Sequence, residues 1–271
     1  MNSKIAAFHD LHRTGTFLLP NAWDLGSAKI LQRLGFKAIA TTSSGFAWTL
    51  GMRDTHVPLE ETLEHYSAMS SALDIPVNAD FEGGYAVEPD RVAVNVSAAC
   101  ETGIAGLSIE DSLKDAESGL YGFDLAVDRV RAARAAIDAS KTGVLLVGRS
   151  EGFIAGRPDL RETIRRLTAF SEAGADCLYA PGVKKREDIQ AIVNAVAPKP
   201  VNVLVSSDFT TVAELAALGV RRISVGGALA RTAWAAVLTA AKEMAESGTF
   251  KSVSRAVPGD ELQRYFSSGE N

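Results

Sequence analysis

The sequence predicts an α/β protein with the (β/α)8 barrel fold, on three observations. Short apolar runs alternate with longer helical patterns, and eight such strand–helix units follow one another at intervals of about 20 to 40 residues. Charged residues collect just after the strands, where barrel enzymes place their sites. An open doubly wound sheet also alternates strands and helices, but no G-x-G-x-x-G sequence follows the first strand here. The barrel is therefore the favoured interpretation.

The predicted strands are short and apolar, and polar or glycine residues follow most of them. In chain order they cover residues 16–19, 38–41, 77–80, 105–109, 144–147, 177–179, 201–205 and 222–225. A long polar loop is predicted at residues 42–57.

Capping signals mark the predicted helices. Asp24 is placed to cap the first helix, which Gly35 ends, and Pro58 begins the second helix. The later helices are predicted at residues 89–102, 124–139, 159–174, 186–197, 211–218 and 227–246. Residues 1–271 are thus expected to form a single barrel domain, with 247–271 as a C-terminal tail that is either frayed or docked on a neighbouring subunit.

Composition is that of an ordinary globular protein, with 271 residues, 46% hydrophobic and 23% charged. The net charge of −5 gives no reason to expect nucleic acid or an anionic membrane as a partner. Cys100 and Cys177 lie in apolar stretches without metal-like or redox-like spacing, so both are expected to be buried. Because neither a secretory signal nor a membrane-spanning run is present, a cytoplasmic location is expected.

The third predicted strand ends in two carboxylates, Asp80 and Glu82. Alternate residues on an extended chain point to the same side, so both acids are expected to face one spot. Glu110 follows the neighbouring strand and should converge with them. Three carboxylates together require a compensating cation, and oxygen ligands favour Mg²⁺, with Mn²⁺ as a second possibility. The alternative is a set of acids paired with Arg149 and Arg53.

Other residue types exclude several chemistries. The histidines, at positions 9, 12, 56 and 65, do not stand at strand ends, which argues against a zinc site or a histidine base. Lysines stand at strand entrances or in loops, which argues against a Schiff-base aldolase. Two segments could bind an anion: the loop at residues 43–46, assisted by Arg149, and Gly226-Gly227 before the last helix. The two glycines could equally serve close packing.

Five segments together resemble the isocitrate lyase / phosphoenolpyruvate mutase family over nearly the whole chain. In order they are Ser44-Gly45-Phe46, Leu50-Gly51-Met52-Arg53-Asp54, Asp80-Phe81-Glu82-Gly83-Gly84-Tyr85, Ile109-Glu110-Asp111 and Gly148-Arg149-Ser150-Glu151. The resemblance implies a (β/α)8 barrel with a swapped C-terminal helix, in a homo-oligomer that is a dimer or, as is usual in the family, a tetramer.

The resemblance also implies a role for each matching residue. Asp80 would bind Mg²⁺ directly, with Glu82 and Glu110 acting through waters. The substrate-binding residues would be Ser44, Gly45, Phe46 and Arg149, which would hold a carboxylate and a keto oxygen. The catalytic residues would be Arg149, Glu110 and Asp54, with Asp54 near the reacting end. The chemistry implied is stabilisation of a pyruvate enolate.

Three departures from the family bear on the substrate. Lyases of the family carry a Lys-x-Cys-Gly-His loop after strand four, whereas residues 112–119 here hold neither cysteine nor histidine. The gating Lys and Asn of the phosphonomutase are not matched by Ala116 and Ser118, although Lys114 is nearby. After strand six, Ala180-Pro181 stand where the family commonly has a glutamate or histidine. Isocitrate-type cleavage is therefore not expected.

The sequence thus predicts a Mg²⁺-dependent lyase-type enzyme that forms a pyruvate-like enolate from a small α-oxo or 2-hydroxy carboxylate. Cleavage without a dedicated acid favours decarboxylation or simple C–C cleavage of an oxaloacetate-like substrate. The alternatives are a phosphoenolpyruvate or carboxyphosphonoenolpyruvate phosphonomutase, and a non-catalytic α-oxo acid binding protein on the same scaffold.

Overall fold

The strands lie parallel in one sheet that curls into a barrel. The structure, a computed structural model, describes residues 2–113 and 119–267. Within these residues the strands are β1 Phe17–Leu19, β2 Asn21–Ala22, β3 Ile39–Thr41, β4 Val77–Asp80, β5 Gly106–Glu110, β6 Leu145–Arg149, β7 Cys177–Tyr179, β8 Val201–Leu204 and β9 Arg222–Ser224. Their order is β1-β9-β8-β7-β6-β5-β4-β3-β2. The predicted barrel is confirmed.

Helices alternate with the strands as predicted. They are α1 Ser3–Arg13, α2 Leu25–Arg33, α3 Ser43–Thr49, α4 Leu59–Ala72, α5 Pro89–Glu101, α6 Phe123–Ser140, α7 Leu160–Glu172, α8 Arg186–Val196, α9 Val212–Ala217, α10 Ala228–Ser247 and α11 Gly259–Arg264, with a 3₁₀ turn at Val253–Arg255. Asp24 caps α2 as expected, because its carboxylate accepts the Ser27 N–H at 2.6 Å.

The first predicted strand corresponds to β1, and a further short strand, β2, follows it after Pro20. β1 pairs with β9 on one side, and β2 pairs with β3 on the other. The Asn21 side chain joins the two, since its Oδ1 accepts the N–H groups of Val225 and Gly226 at 3.0 and 2.8 Å and its Nδ2 donates to the Thr41 carbonyl at 2.7 Å. The barrel therefore closes at Asn21 partly through a side chain.

Helices α1 and α3 occupy segments where the sequence predicted none, and so does α11 in the tail. α3 begins directly after β3, so the segment 42–57 is not wholly a loop. α1 lies across the entrances of the strands, where Phe8 and His12 are buried and form edge-to-face ring contacts with Phe17. α1 therefore covers the N-terminal end of the barrel, and the opposite end holds the strand ends that carry the charges.

α10 differs from the other long helices in its exposure. Ala230 is its one residue with a fully buried side chain, whereas Trp234, Val237 and Leu238 are 39%, 55% and 56% exposed. Farther on, Arg33 of α2 donates to the Ser267 carbonyl at 2.5 Å, so the described part of the tail folds back onto its own chain. Among the described helices, none is long and apolar enough to cross a membrane.

Both cysteines are buried free thiols, as predicted. The loop at residues 112–119 is described only at its ends, where Ser112 bridges to Leu120. The expectations for Lys114, Ala116 and Ser118 lie outside the described residues.

Candidate active site

A cavity of about 160 Å³ opens at the C-terminal ends of the strands. Its lining combines the ends of β4 and β6 with the segment after β3, and it contains Asp80, Arg149, Ser43, Ser44 and Asp54. In a parallel barrel this end is where loops from different strands meet, which is why residues far apart in sequence share one cavity.

Arg149 lies at the centre of the charged residues in this cavity. Its Nη1 is 3.0 Å from Asp80 Oδ1 and 3.1 Å from Glu110 Oε2, and its Nε donates to Glu151. Burial opposes the charge of Arg149, but Glu151, Glu110 and Asp80 outweigh it and raise the pKa of the guanidinium. Arg149 is therefore a fixed cation. The sequence left open an alternative in which the acids pair with Arg149 and Arg53. The structure contains such ion pairs for Arg149, whereas Arg53 is exposed.

The carboxylates around Arg149 exceed it in number. Burial raises the pKa of Glu110, and the nearby Glu151 and Asp80 add to this effect against the influence of Arg149. Burial raises the pKa of Glu151 as well. Three acids share one guanidinium, so the cluster favours a further cation or a proton.

Asp80 is held in place from three sides. Its Oδ2 accepts the N–H and hydroxyl of Ser43 at 3.0 and 3.2 Å, and its backbone N–H donates to Thr41 Oγ1 at 2.9 Å. The Tyr66 hydroxyl donates to its carbonyl at 2.6 Å. The carboxylate at the end of β4 is thus oriented toward the cavity before any ligand arrives.

Glu82 does not continue the alternation of the strand. Its φ is 46°, because β4 ends at Asp80 and the chain turns there. Glu82 consequently lies in a small adjoining pocket, where the Tyr85 hydroxyl donates to Glu82 Oε1 at 3.0 Å and contacts Thr62 Oγ1 at 3.0 Å. Asp80 and Glu82 are therefore not alternate residues of one strand, and the expectation that strand alternation turns both toward one spot is wrong. The role of Glu82 stays a prediction.

The segment 44–46 is divided between the cavity and the packing behind it. Ser44 lines the cavity. Gly45 is buried, and a Cβ there would lie 2.6 Å from the Cβ of Trp23, so its lack of a side chain serves close packing. The Phe46 ring stacks on His65 with centroids 3.9 Å apart, in the adjoining pocket. Roles for Gly45 and Phe46 in substrate binding stay predictions.

Gly226 and Gly227 line the same cavity, but their contacts support packing. The Gly226 N–H is used by Asn21, and a Cβ on Gly227 would lie 2.9 Å from Ser44 Oγ. The absence of a side chain at Gly227 therefore makes room for Ser44.

The oxygen donors fit a hard divalent cation in chemistry and in charge. In residues 2–113 and 119–267, no three side chains of His, Cys, Asp or Glu converge closely enough to hold a metal ion directly. Arg149 instead contacts both Asp80 and Glu110. One direct carboxylate with other acids acting through water is an arrangement typical of Mg²⁺ and needs no such convergence.

Buried ion pairs support the site from behind. Asp111 accepts the backbone N–H of Glu151 at 2.8 Å and pairs with Arg166 at 3.1 Å, so α7 fixes the segment that follows β6. Sequence reasoning missed Arg166, and it also missed Tyr179 and Arg222, which line the cavity. Tyr179 is the last residue of β7, and a polar residue at a strand end is the signal by which Asp80 was found. Arg222 is a charged residue within a short strand, where this signal does not apply.

A parallel barrel whose carboxylates and arginine meet at the ends of its strands has the layout of a barrel enzyme. The model of the phosphoenolpyruvate phosphomutase family matches residues 8–245. The chain therefore belongs to this family, and it is an enzyme of the lyase or phosphonomutase type.

Three similar proteins illustrate the relationship. The crystal structure of a lyase/mutase candidate from Burkholderia cenocepacia J2315 is 43% identical, covers 97% of this chain and 96% of that chain, and superposes with a TM-score of 0.93. The oxaloacetate decarboxylase 1 of Pseudomonas putida (strain W619) is 30% identical over 82% of this chain and 78% of its own length. An oxaloacetate acetylhydrolase in complex with the product oxalate is 25% identical, with a TM-score of 0.86 over 97% of this chain and 93% of that chain.

Proposed function

We propose that this chain is a Mg²⁺-dependent lyase that decarboxylates oxaloacetate or a closely similar α-oxo dicarboxylate through a pyruvate enolate, with Mn²⁺ as a possible substitute. The observation that carries this proposal is Arg149, a fixed and largely buried cation between Asp80 and Glu110 at the cavity. A cation so placed can stabilise negative charge that develops on a keto oxygen. Similarity to an oxaloacetate decarboxylase adds support.

Each charged or polar residue of the site has its own proposed role. Asp80 would hold Mg²⁺ directly, with Glu82 and Glu110 in its outer shell. Bound Mg²⁺ would supply Lewis-acid stabilisation of charge at the substrate oxygens. Ser44 lines the cavity and can donate a hydrogen bond to the substrate carboxylate, and Asp54 lies at the rim.

Decarboxylation suits a site of this composition. Breaking the C3–C4 bond of oxaloacetate releases CO₂, a leaving group that requires no proton, and leaves the electron pair in the enolate. Cleavage that expels a carbanion or alkoxide would require an acid at the departing atom. Among the described residues the cavity lining contains no histidine, lysine or cysteine, so such an acid would have to be Asp54 or Tyr179.

The test is turnover of oxaloacetate to pyruvate with Mg²⁺, and a coupled lactate dehydrogenase assay measures the pyruvate formed. Asp80→Ala should lower kcat/KM by about 100-fold or more, because it removes the direct ligand, and calorimetry should show a matching loss of Mg²⁺ affinity. Asp10→Ala, an exposed acid on α1, is the matched control and should change neither quantity. Full activity and metal affinity in Asp80→Ala would contradict the proposal.

A phosphonomutase is the second candidate, since the matching family model is that of phosphoenolpyruvate phosphomutase. Interconversion of phosphonopyruvate and phosphoenolpyruvate, followed by ³¹P NMR, identifies it directly. Release of oxalate and acetate from oxaloacetate would identify a hydrolase instead. Binding of oxaloacetate without any turnover would identify a non-catalytic binding protein.

We also infer that the chain forms a homo-oligomer, a dimer or tetramer, in which α10 packs against another copy. Trp234 and Leu238 leave an apolar face of α10 exposed, and this face adjoins Trp48 of α3 and Met52 just after α3. Apolar patches of this kind mark protein–protein contacts. A cytoplasmic location is consistent with the two free thiols.

A further inference from the structure

Tyr179 is the phenol of the catalytic cavity. It is the last residue of β7, is 8% exposed and lines the cavity with Asp80 and Arg149. The guanidinium carbon of Arg149 lies 5.2 Å from the centre of its ring. Tyr179 therefore stands beside the cation that would face a substrate oxygen.

A chain of polar side chains runs from Arg222 toward Tyr179. The Arg222 Nε donates to Asn202 Oδ1 at 2.9 Å, and Asn202 Nδ2 donates to Ser224 Oγ at 2.9 Å. Because Ser224 Oγ accepts from Asn202, its own proton can be donated to the oxygen of Tyr179. The Ser224 side chain is near enough to lower the pKa of Tyr179.

Arg222 supplies the charge behind this chain. It is 2% exposed, lies inside the barrel and also donates to Asn78 Oδ1 at 3.2 Å. Within the described residues no carboxylate forms an ion pair with it, which is unusual for a buried arginine. Burial lowers the pKa of Arg222, and Cys177 and Tyr179, both close to it, oppose that shift. Its positive charge is therefore available to stabilise a negative charge formed nearby.

The protonation state of Tyr179 suits a proton donor. Burial raises its pKa to about 12, while Arg149 and Ser224 oppose that rise. At neutral pH the phenol is thus protonated, and the groups that lower its pKa are those that stabilise the phenolate after the proton has left.

The proposed decarboxylation leaves a step that needs such a donor. After the C3–C4 bond breaks, the electron pair of that bond lies in the enolate, and C3 must take up one proton to give pyruvate. We propose that Tyr179 donates this proton to C3, and that Ser224, Asn202 and Arg222 stabilise the resulting phenolate. Water returns a proton to the phenolate, which completes the cycle. This inference rests on the enolate of the proposed function.

Exchange of the pyruvate methyl protons with D₂O tests the step separately from decarboxylation. In this exchange a C3 proton of pyruvate is first removed to give the enolate, and a deuteron is then returned to C3 by the proposed step. With Mg²⁺ present, ¹H NMR should show exchange catalysed by the unsubstituted protein. Tyr179→Phe should slow exchange by about 100-fold while the Kd for pyruvate stays within about twofold. Tyr121→Phe removes a buried phenol outside the cavity and is the matched control.

The positioning residues are tested by the same two measurements. Ser224→Ala should slow exchange by about tenfold with an unchanged Kd, whereas a purely structural role would alter both or neither.

The outcomes separate the two proposals. Exchange without decarboxylation of oxaloacetate would overturn the proposed function and support Tyr179 as the donor. Normal exchange in Tyr179→Phe, or no exchange in the unsubstituted protein, would overturn the role of Tyr179.

Discussion

His12 shows how one buried side chain can make the fold sensitive to acid. Its ring lies between Phe8 and Phe17, with centroids 4.6 and 5.0 Å away, and its Nδ1 bonds to the Phe8 carbonyl at 2.7 Å. Since a carbonyl only accepts, Nδ1 carries a hydrogen. Burial, with help from Arg222, lowers the pKa of His12 from 6.5 to about 3.

A stability prediction follows from this pKa. Above pH 6.5 neither state binds the proton, and as the pH falls from 6.5 toward about 3 the unfolded chain takes it up and the folded chain does not. This single group should therefore lower the free energy of unfolding by roughly 2 kcal/mol between pH 7 and pH 5.

Urea denaturation at pH 7 and pH 5 measures the effect. His12→Phe keeps the aromatic contacts and should lose about 2 kcal/mol less than the unsubstituted protein over this interval. His56→Gln, on an exposed loop, should show the unsubstituted pH dependence. An equal loss in His12→Phe would show that His12 is not the group responsible.

At the scale of elements, a single arginine ties α6 to the loop that follows β4. Arg129 is fully buried, and its guanidinium donates to the carbonyls of Gly83, Ala86 and Val87. The Tyr121 ring stacks against it at 4.0 Å. This loop begins just after Asp80, so its shape bears on the cavity as well as on the core.

Replacing this arginine should therefore be costly. Arg129→Met leaves the buried carbonyls of Gly83, Ala86 and Val87 without their donor and should lower the free energy of unfolding by about 3 kcal/mol or more. Arg131→Met, two residues along α6 with an exposed ion pair, should change it by less than about 0.5 kcal/mol. Chemical denaturation measures the free energy of unfolding of both variants. A similarly small decrease in the two variants would contradict the role given to Arg129.

Elements built from local signals were predictable, and those that depend on distant contacts were not. The strands and the capped helices follow from apolar runs and from residues such as Asp24. α3 was missed because Ser43–Thr49 is short and polar at its start, and its buried Gly45 lies against Trp23, which no periodic pattern reveals. The turn at Glu82 was missed because a positive φ is uncommon outside glycine.

At the scale of the whole molecule, residues at strand ends could be placed in one cavity from the sequence, because a barrel brings those ends together. Asp80 and Arg149 line the cavity for this reason, and Glu110 contacts Arg149 beside it. The partner of each charge could not be foreseen, since the pairing of Glu151 with Arg149 and of Asp111 with Arg166 depends on side-chain packing. Interior residues such as Arg222 are equally hidden from linear patterns.

The exposed face of α10 gives a prediction for the assembly. Leu238→Glu places a charge on the apolar face and should shift the protein toward smaller species, because burying an unpaired carboxylate in an interface is unfavourable. Light scattering coupled to size-exclusion chromatography measures the mass. Val94→Glu, at an exposed apolar position on α5, should leave it unchanged. A monomer before any substitution would contradict the proposed oligomer.

The closure at Asn21 has a consequence for how copies of this chain can meet. The two ends of the described sheet, β1 and β2, are consecutive segments on either side of Pro20, so neither offers a long open edge. Backbone pairing between the sheets of two molecules, the usual route to strand-mediated aggregation, has no template there. Copies of this chain must therefore associate through side chains on the helices. The identity of those side chains, unlike backbone pairing, determines which surface is bound.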